Sequence, residues 1–272
     1  MDSTNSLKCA NFSRNRVIEM GYACGKSGAH FGSSLSLIDI LSVLYTCEHA
    51  PLISDIKKPN RNRFILSKGH GALGYFAILE SCSFLSKKQT DSFEVNGSNF
   101  FAHAHKDLND GIEYSGGSLG LGLPFCVGIS LANKKREFNS KIFVLVGDGE
   151  CDEGIIWESL MAASNYNLEN LTVIVDRNMM QSDGNKESIM DQKDLPAKFK
   201  SFGFDTYDID GHDHSEIKKS ILAEHNKPKA IIANTKKGYG ISFMQDNPDW
   251  HHGVLSEKKF LEAINELNSK YD

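Results

Sequence analysis

Two short segments carry side chains suited to gripping a divalent cation and a phosphate together. Gly147-Asp148-Gly149-Glu150 follows the apolar run 142–146, and Asn178 stands just past a second apolar run, 171–175, closed by Asp176. A carboxylate and an amide oxygen are hard donors, the kind magnesium takes when phosphates and water complete its octahedron. Gly147 and Gly149 let backbone approach a phosphate closely. A second cradle is Gly116-Gly117-Ser118-Leu119-Gly120, ahead of an expected helix over 121–132, where free amides and the helix dipole face an anion. No strand precedes it, so it is not a dinucleotide fingerprint. Histidines supply the remaining chemistry, hydrogen bonding and proton transfer. His30 and His70 lie in glycine-bearing loops, His103 and His105 in an irregular stretch, and His251 and His252 side by side near the end.

The elements that must hold these residues alternate as in a mostly parallel sheet with helices on both faces. Strands are expected at 64–66, 142–146, 171–175, 204–209 and 230–233, and continuous apolar runs such as the second and third suit strands buried on both faces. Helices are expected at 34–45, 71–80, 86–96, 154–166, 215–225 and 256–267, with Phe260, Leu261, Ile264 and Leu267 spaced for one face of the last. A polar stretch with two prolines, 51–63, separates the first helix from the first strand. Residues 100–122 have little periodicity, and a long irregular stretch inside a compact chain is usually functional. One strand–helix–strand unit separates Asp148 from Asn178, which places them together at the carboxyl ends of neighbouring strands, where open sheets bind ligands. No repeat or Pro-, Gly- or Ser-rich linker divides the chain, so a single α/β domain spanning 1–272 is expected.

Composition narrows the function classes. With 40% hydrophobic and 24% charged residues the 272-residue chain can bury a core. Its formal charge of −5 argues against a nucleic-acid binder acting through bulk charge. No apolar run approaches the ~20 residues that cross a bilayer, and the polar N-terminus lacks a secretory h-region. Six scattered cysteines without a C-x-x-C pair fit a reducing, cytoplasmic setting rather than a disulfide scaffold or zinc ribbon.

The run Gly147-Asp148-Gly149-Glu150-x-x-Glu153-Gly154-x-x-Trp157-Glu158 continues through Asn170-Leu171, Val175-Asp176, Asn178 and Gln181-x-Asp183-Gly184. It resembles the thiamine diphosphate motif of transketolases. Ser27-Gly28-Ala29-His30-Phe31-Gly32 and Ser67-Lys68-Gly69-His70-Gly71 are similar to the family's two histidine loops, and 115–122 to its glycine loop. Lys237-Gly238-x-Gly240-x-Ser242-Phe243 and Trp250-His251-His252-Gly253 are similar to the end of that region. The length matches the N-terminal, diphosphate-binding portion alone, as in transketolases split into two subunits.

The resemblance implies a thiamine diphosphate-binding fold and transfer of a two-carbon ketol unit from a ketose phosphate to an aldose acceptor. It implies thiamine diphosphate and magnesium as cofactors, with calcium or manganese able to substitute. Asp148, Asn178 and the main-chain oxygen of Met180 would hold the metal. Gly117, Ser118, Leu119, Gly149, Glu150, Asn178 and His70 would lie against the cofactor. His30, His70, His103 and His252 would act on substrate, and Glu153 would help couple subunits. The partner would be a C-terminal transketolase subunit, two copies of each chain, supplying the glutamate that hydrogen-bonds the aminopyrimidine. The alternative is a component of another thiamine diphosphate enzyme, a 2-oxo acid decarboxylase or dehydrogenase or a deoxyxylulose-phosphate-type synthase, against which the stretch from Glu153 to Trp157 speaks. Ala29 between Gly28 and His30, Ala104 after His103 and Leu121 in the glycine loop depart from the family pattern. They imply a reshaped entrance and an acceptor other than the usual one.

Overall fold

The computed structural model describes residues 3–47, 58–182 and 184–271. His49, Asp183 and residues 51–57 of the proline-containing stretch lie outside them. In chain order the elements are α1 (Ser3–Ala23), α2 (Phe31–Ser36), α3 (Ile38–Thr46), β1 (Arg63–Leu66), α4 (Ala72–Ser81) and α5 (Lys87–Thr90). Then come α6 (Gly122–Lys135), β2 (Ile142–Gly147), α7 (Gly154–Asn165), β3 (Leu171–Arg177) and a hairpin of β4 (Met180–Gln181) with β5 (Gly184–Asn185). The last are α8 (Lys186–Ile189), α9 (Leu195–Ser201), β6 (Asp205–Asp210), α10 (His214–Leu222), β7 (Lys229–Asn234) and α11 (Glu257–Tyr271).

Five strands form one parallel sheet in the order β1-β2-β3-β7-β6. Alternate residues of its central strands feed two cores, which is why those strands read as unbroken apolar runs. Phe143, Leu145, Ile174 and Ile231 pack with α1, α3 and α4 through Val17, Leu41 and Phe76. Val144, Val146, Val173 and Val175 pack on the other face with Ile156, Leu160 and Phe199. The register pairs Gly147 with Asp176 and Asp176 with Ala233, so the carboxyl ends of β2, β3 and β7 are level.

Four differences from the sequence-based expectations have physical causes. Helix α1 is not among the expected helices, because its buried face includes Ser13, Arg14 and Arg16. Arg16 is satisfied by Glu80, Thr90 and Asp91 at 2.8–2.9 Å and thereby ties α1 to α4 and α5. The helix expected over 34–45 is broken at Leu37. The Ser33 carbonyl accepts from Ser36 Oγ (3.1 Å) and Lys68 Nζ (3.2 Å), while the Leu37 amide turns to Leu35. The helix expected over 86–96 is the single turn α5, capped by Ser86, and Glu94 takes a left-handed φ of 58° beyond it. The hairpin and the short α8 and α9 are likewise additions to the expected elements.

A buried polar clamp joins α3 to the segment between β6 and α10. Asp39 accepts from Arg14, from His212 Nδ1 (2.7 Å) and from His214 Nε2 (2.9 Å). The Lys236 amide donates to His212 Nε2, which leaves the His212 proton on Nδ1 for Asp39. Burial works to raise the Asp39 pKa, but the Arg14 charge and both histidine hydrogen bonds overcome it and hold the carboxyl well below the usual range. A depressed carboxyl contributes stability above its unfolded pKa of ~3.9, and that stability is lost as pH falls toward the folded value. Asp39→Ala is expected to cost about 3–5 kcal/mol at pH 7, since it leaves a buried guanidinium without its counter-charge. The loss should shrink progressively below pH ~4, where the wild type gives up the same stabilisation. Urea titrations at several pH values measure this, and a deficit that stays constant down to pH ~2.5 would refute the clamp.

Candidate functional site

Four adjacent strand ends and the loops after them surround one cavity of about 100 Å³. Lys68 and His70 come from the loop after β1, Asp148 to Glu150 from the turn after β2, and Asn178 to Ser182 from the segment after β3. Lys237 follows β7, while Ser33, Leu119 and His251 close the sides.

Asp148 and Asn178 meet there as the parallel pairing requires. The Asp148 amide donates to the Asp176 carbonyl (3.2 Å), and its carboxylate accepts from the amides of Gly149 and Met179, each at 2.8 Å. Met179 takes a left-handed φ of 60°, which turns the chain back over Asp148. Asn178 Oδ1 accepts from the Met180 amide at 3.1 Å. Each of these oxygens keeps a free lone pair, and the set of carboxylate, amide and main-chain oxygen has the hardness magnesium prefers. Among the described residues no group of three or more His, Cys, Asp or Glu forms a metal site, and the proposed set contains one acidic side chain, Asp148. Burial, opposed by the Lys186 charge and reinforced by Asp176, pushes Asp148 up to about 6. A cation beside it would relieve that penalty.

Lysines balance the carboxylates. Asp176 is fully buried at the end of β3 and accepts from Lys68, Thr235 and Ser36 Oγ, the last at 2.6 Å. Lys237 donates to the Gln181 carbonyl (3.0 Å) and to His251 Nδ1 (2.8 Å), leaving the His251 proton on Nε2. Burial and the neighbouring Lys68 charge bring Lys237 down to about 8. Glu150 lines the cavity with both oxygens engaged. One accepts from Ser67 Oγ and the Gly120 amide (2.7 Å), the other from the Gly147 amide (3.0 Å). It therefore ties three loops together, and its influence on a ligand runs through them. Glu150→Ala strands three buried donors at ~1–3 kcal/mol each, so a fall in Tm of several degrees is expected, with a smaller fall for Glu150→Gln. Equal Tm values for wild type and Glu150→Ala would contradict this.

The glycine loop passes beside the cavity. Gly117 has φ 149° with open space where a side chain would stand, and a Cβ on Gly69 would meet His103 at 2.9 Å and the Gly117 amide at 3.1 Å. Leu119 lines the cavity. Ser118 is exposed, and so is Glu153, whose side chain packs near Gly120 on the outer surface rather than in the cavity.

The histidines gather around His30. Its ring centroid lies 4.7 Å from His252, 5.6 Å from His251, 5.9 Å from His103 and 6.1 Å from His70. Two backbone hydrogen bonds between Ala29 and Gly253, 2.9 and 3.0 Å, zip the first histidine loop to the last. Gly28 is needed there, since a Cβ would lie 2.5 Å from the Gly253 carbonyl oxygen. Burial, then neighbouring positive groups, lower His30 to about 4, His251 to about 3, and His70 well below its ordinary value. At neutral pH these rings are uncharged and can both donate and accept. The structure separates the two open pairs differently. His103 joins the cluster while His105 is exposed against Phe101, whereas His251 and His252 both join. Sequence reasoning assigns no role to Ser33, Lys68, Gln181 or Lys237, and leaves His251 as the alternative to His252. Lys68 could have been found, because it follows β1 as Asp148 follows β2.

The family model for the transketolase thiamine diphosphate binding domain matches residues 8–271. The chain is 34% identical over 267 residues to one component of the apulose-4-phosphate transketolase of Actinobacillus succinogenes, covering 97% of this chain and 96% of that one. It is 33% identical over 270 residues to 6-deoxy-6-sulfo-D-fructose transketolase subunit SqwG of a Clostridium species, covering 96% and 95%. Among solved structures, transketolase from Leishmania mexicana superposes with a TM-score of 0.85 at 25% identity, and transketolase from Campylobacter jejuni with 0.84 at 27%. The chain is covered to 98% and 97% in these superpositions, yet spans only 42% of either solved chain.

Proposed function

Because the chain belongs to the transketolase family as its thiamine diphosphate-binding domain, we propose that it is the N-terminal subunit of a two-component transketolase. The pair would move a two-carbon ketol unit from a ketose phosphate to an aldose. The observation that carries this reading is the meeting of hard oxygen donors, buried lysines and uncharged imidazoles above four adjacent strand ends. Asp148, Asn178 and the Met180 carbonyl hold magnesium, which calcium or manganese can replace. Gly149, His70, Lys237 and the 117–119 backbone lie against the diphosphate. When bound, thiamine diphosphate supplies the carbon nucleophile and electron sink that protein side chains lack.

The chain's own contribution is orientation and proton transfer. His30, His70, His103 and His252 hydrogen-bond substrate hydroxyls and move protons at the reacting oxygens, and His251 offers Nε2–H while Lys237 holds its other nitrogen. Ala29, Ala104 and Leu121 shape the entrance for an unusual sugar, and the two relatives named above carry apulose 4-phosphate and 6-deoxy-6-sulfo-D-fructose in their names. The described part of the chain has no helix long and apolar enough to cross a membrane, and its six free thiols suit the reducing cytoplasm.

A cavity of about 100 Å³ is smaller than the ~300–1,000 Å³ of complete ligand sites, which supports a second wall from a C-terminal transketolase subunit. Leu119 on the cavity wall and its neighbour Leu121 are exposed, as is Glu153 beside Gly120, and suit that contact. Two copies of each chain close the assembly with twofold symmetry.

The test is ketol transfer by the reconstituted pair. Alanine at His30, His70, His103 or His252 is expected to lower kcat/KM by ~10²-fold or more with smaller changes in cofactor affinity. His105 and His225, outside the cluster, serve as controls. Full activity in all four variants, or equal losses in the controls, would overturn the assignment.

A further inference from the structure

Lys186 is a buried lysine without a part in the cavity wall. It opens α8 directly after the β4–β5 hairpin and is 3% exposed, a burial that lysine takes almost only when its charge is paired. It is bonded to both segments that carry the proposed metal ligands. Its amide donates to the Met179 carbonyl (3.0 Å), between Asn178 and Met180, and its Nζ donates to the Asp148 carbonyl (2.9 Å). That carbonyl also accepts from the Cys151 amide (3.1 Å) of its own turn and from Nε2 of Gln192 (2.7 Å), a second buried side chain, beyond α8. Asp152 gathers the same groups from the other side. Its carboxylate accepts from Lys186 Nζ (3.1 Å), from Gln192 Nε2 and from Gln181 Nε2 (2.7 Å). An ammonium so near a cation site would repel the cation, and Asp152 offsets that charge. A buried ion pair is no more stabilising than apolar side chains of similar volume. What Lys186 offers that an apolar residue cannot is a directed donor to the Asp148 main chain.

We propose that Lys186, with Asp152 and Gln192 beside it, is a positioning residue for the metal. It fixes the turn that carries Asp148 against the segment that carries Asn178 and Met180. This role presupposes the metal assignment made above and adds residues that hold the ligands without touching the ion. Magnesium demands near-ideal octahedral geometry, so oxygens supplied by two separate segments serve it only if the segments keep their spacing. Removing the strap should therefore weaken metal binding more than it loosens the fold.

The experiment titrates magnesium chloride, at fixed thiamine diphosphate, into the full chain reconstituted with its C-terminal partner. Hydrogen exchange and thermal melts of the ligand-free chain accompany it. The double variant Lys186→Met/Asp152→Asn removes the ammonium without changing net charge. Its magnesium affinity is expected to fall ~10–100-fold, as for other groups that orient a metal ligand from behind. Peptides over 178–186 should exchange faster, while strand β2 exchanges as in the wild type. Gln192→Leu leaves no charge unpaired, carries the test if the double variant does not fold, and should act in the same direction by less. Lys186→Met alone separates positioning from charge, because a lost positive charge would tighten magnesium and a lost donor weakens it. Weaker binding is expected. Tighter binding there, or wild-type affinity in the double variant and in Gln192→Leu, would overturn the proposal. Lower melting temperatures or faster exchange with affinity unchanged would leave Lys186 a structural residue only, and overturn it too. A wild type that binds neither magnesium nor cofactor would instead remove the metal assignment itself.

Discussion

Asp148→Asn is expected to abolish magnesium-dependent binding of thiamine diphosphate while leaving the chain folded. The substitution keeps an oxygen for the Gly149 or Met179 amide, which both lie at 2.8 Å in the native turn, and removes the only charge in the proposed ligand set. Losing a group that merely orients a metal ligand costs ~10–100-fold in affinity. Removing the charged ligand itself should exceed ~100-fold. Asn178→Ala should act in the same direction through the loss of a neutral oxygen. Asp148→Ala is the poorer probe, because it also strands two backbone amides at ~1–3 kcal/mol each and mixes stability with binding. Calorimetric titration of magnesium and cofactor, with a thermal melt beside it, separates the two effects. Wild-type affinity in both Asp148→Asn and Asn178→Ala would remove the metal assignment.

The chain alone is expected to show no ketol transfer, with activity appearing only when a C-terminal transketolase subunit is added. Activation of thiamine diphosphate calls for an acid against its aminopyrimidine. Among the described residues the cavity offers two carboxylates only, and neither is available. Asp148 faces the proposed metal, and both oxygens of Glu150 are engaged by Ser67, Gly120 and Gly147. On the split-enzyme reading the acid comes from the partner, across an interface. Assays of the isolated chain, of the candidate partner and of the mixture decide this, alongside sedimentation of the mixture. Full turnover by the isolated chain would sink the split-enzyme reading.

Local patterns make the proposed metal end of the site legible. Asp148 and Asn178 each follow an unbroken apolar run, and parallel pairing forces such positions together, so neither needs tertiary information. The glycine loop and the first two histidine loops are legible through the resemblance to the family. What escapes depends on contacts between distant segments. Lys237 reveals its place only once the Gln181 carbonyl and His251 are beside it, and neither neighbour can be inferred from spacing. Helix α1 escapes because its inward face is partly polar, and the partners that make Arg14 and Arg16 tolerable lie on α3, on α4 and just past α5. The break at Leu37 likewise follows from a carbonyl captured by Lys68, a residue of a different strand end.

The two hydrogen bonds between Ala29 and Gly253 have a consequence for synthesis. They join residues from nearly opposite ends of the chain, a contact whose loop-closure entropy must be met before it gives anything back. A nascent chain on the ribosome can form β1 to β3 and seat Asp148 beside Asn178 long before Gly253 emerges. The histidine cluster cannot close until it does. The proposed metal-binding half of the site can thus be assembled before the histidine cluster, which is among the last parts of the molecule to take shape.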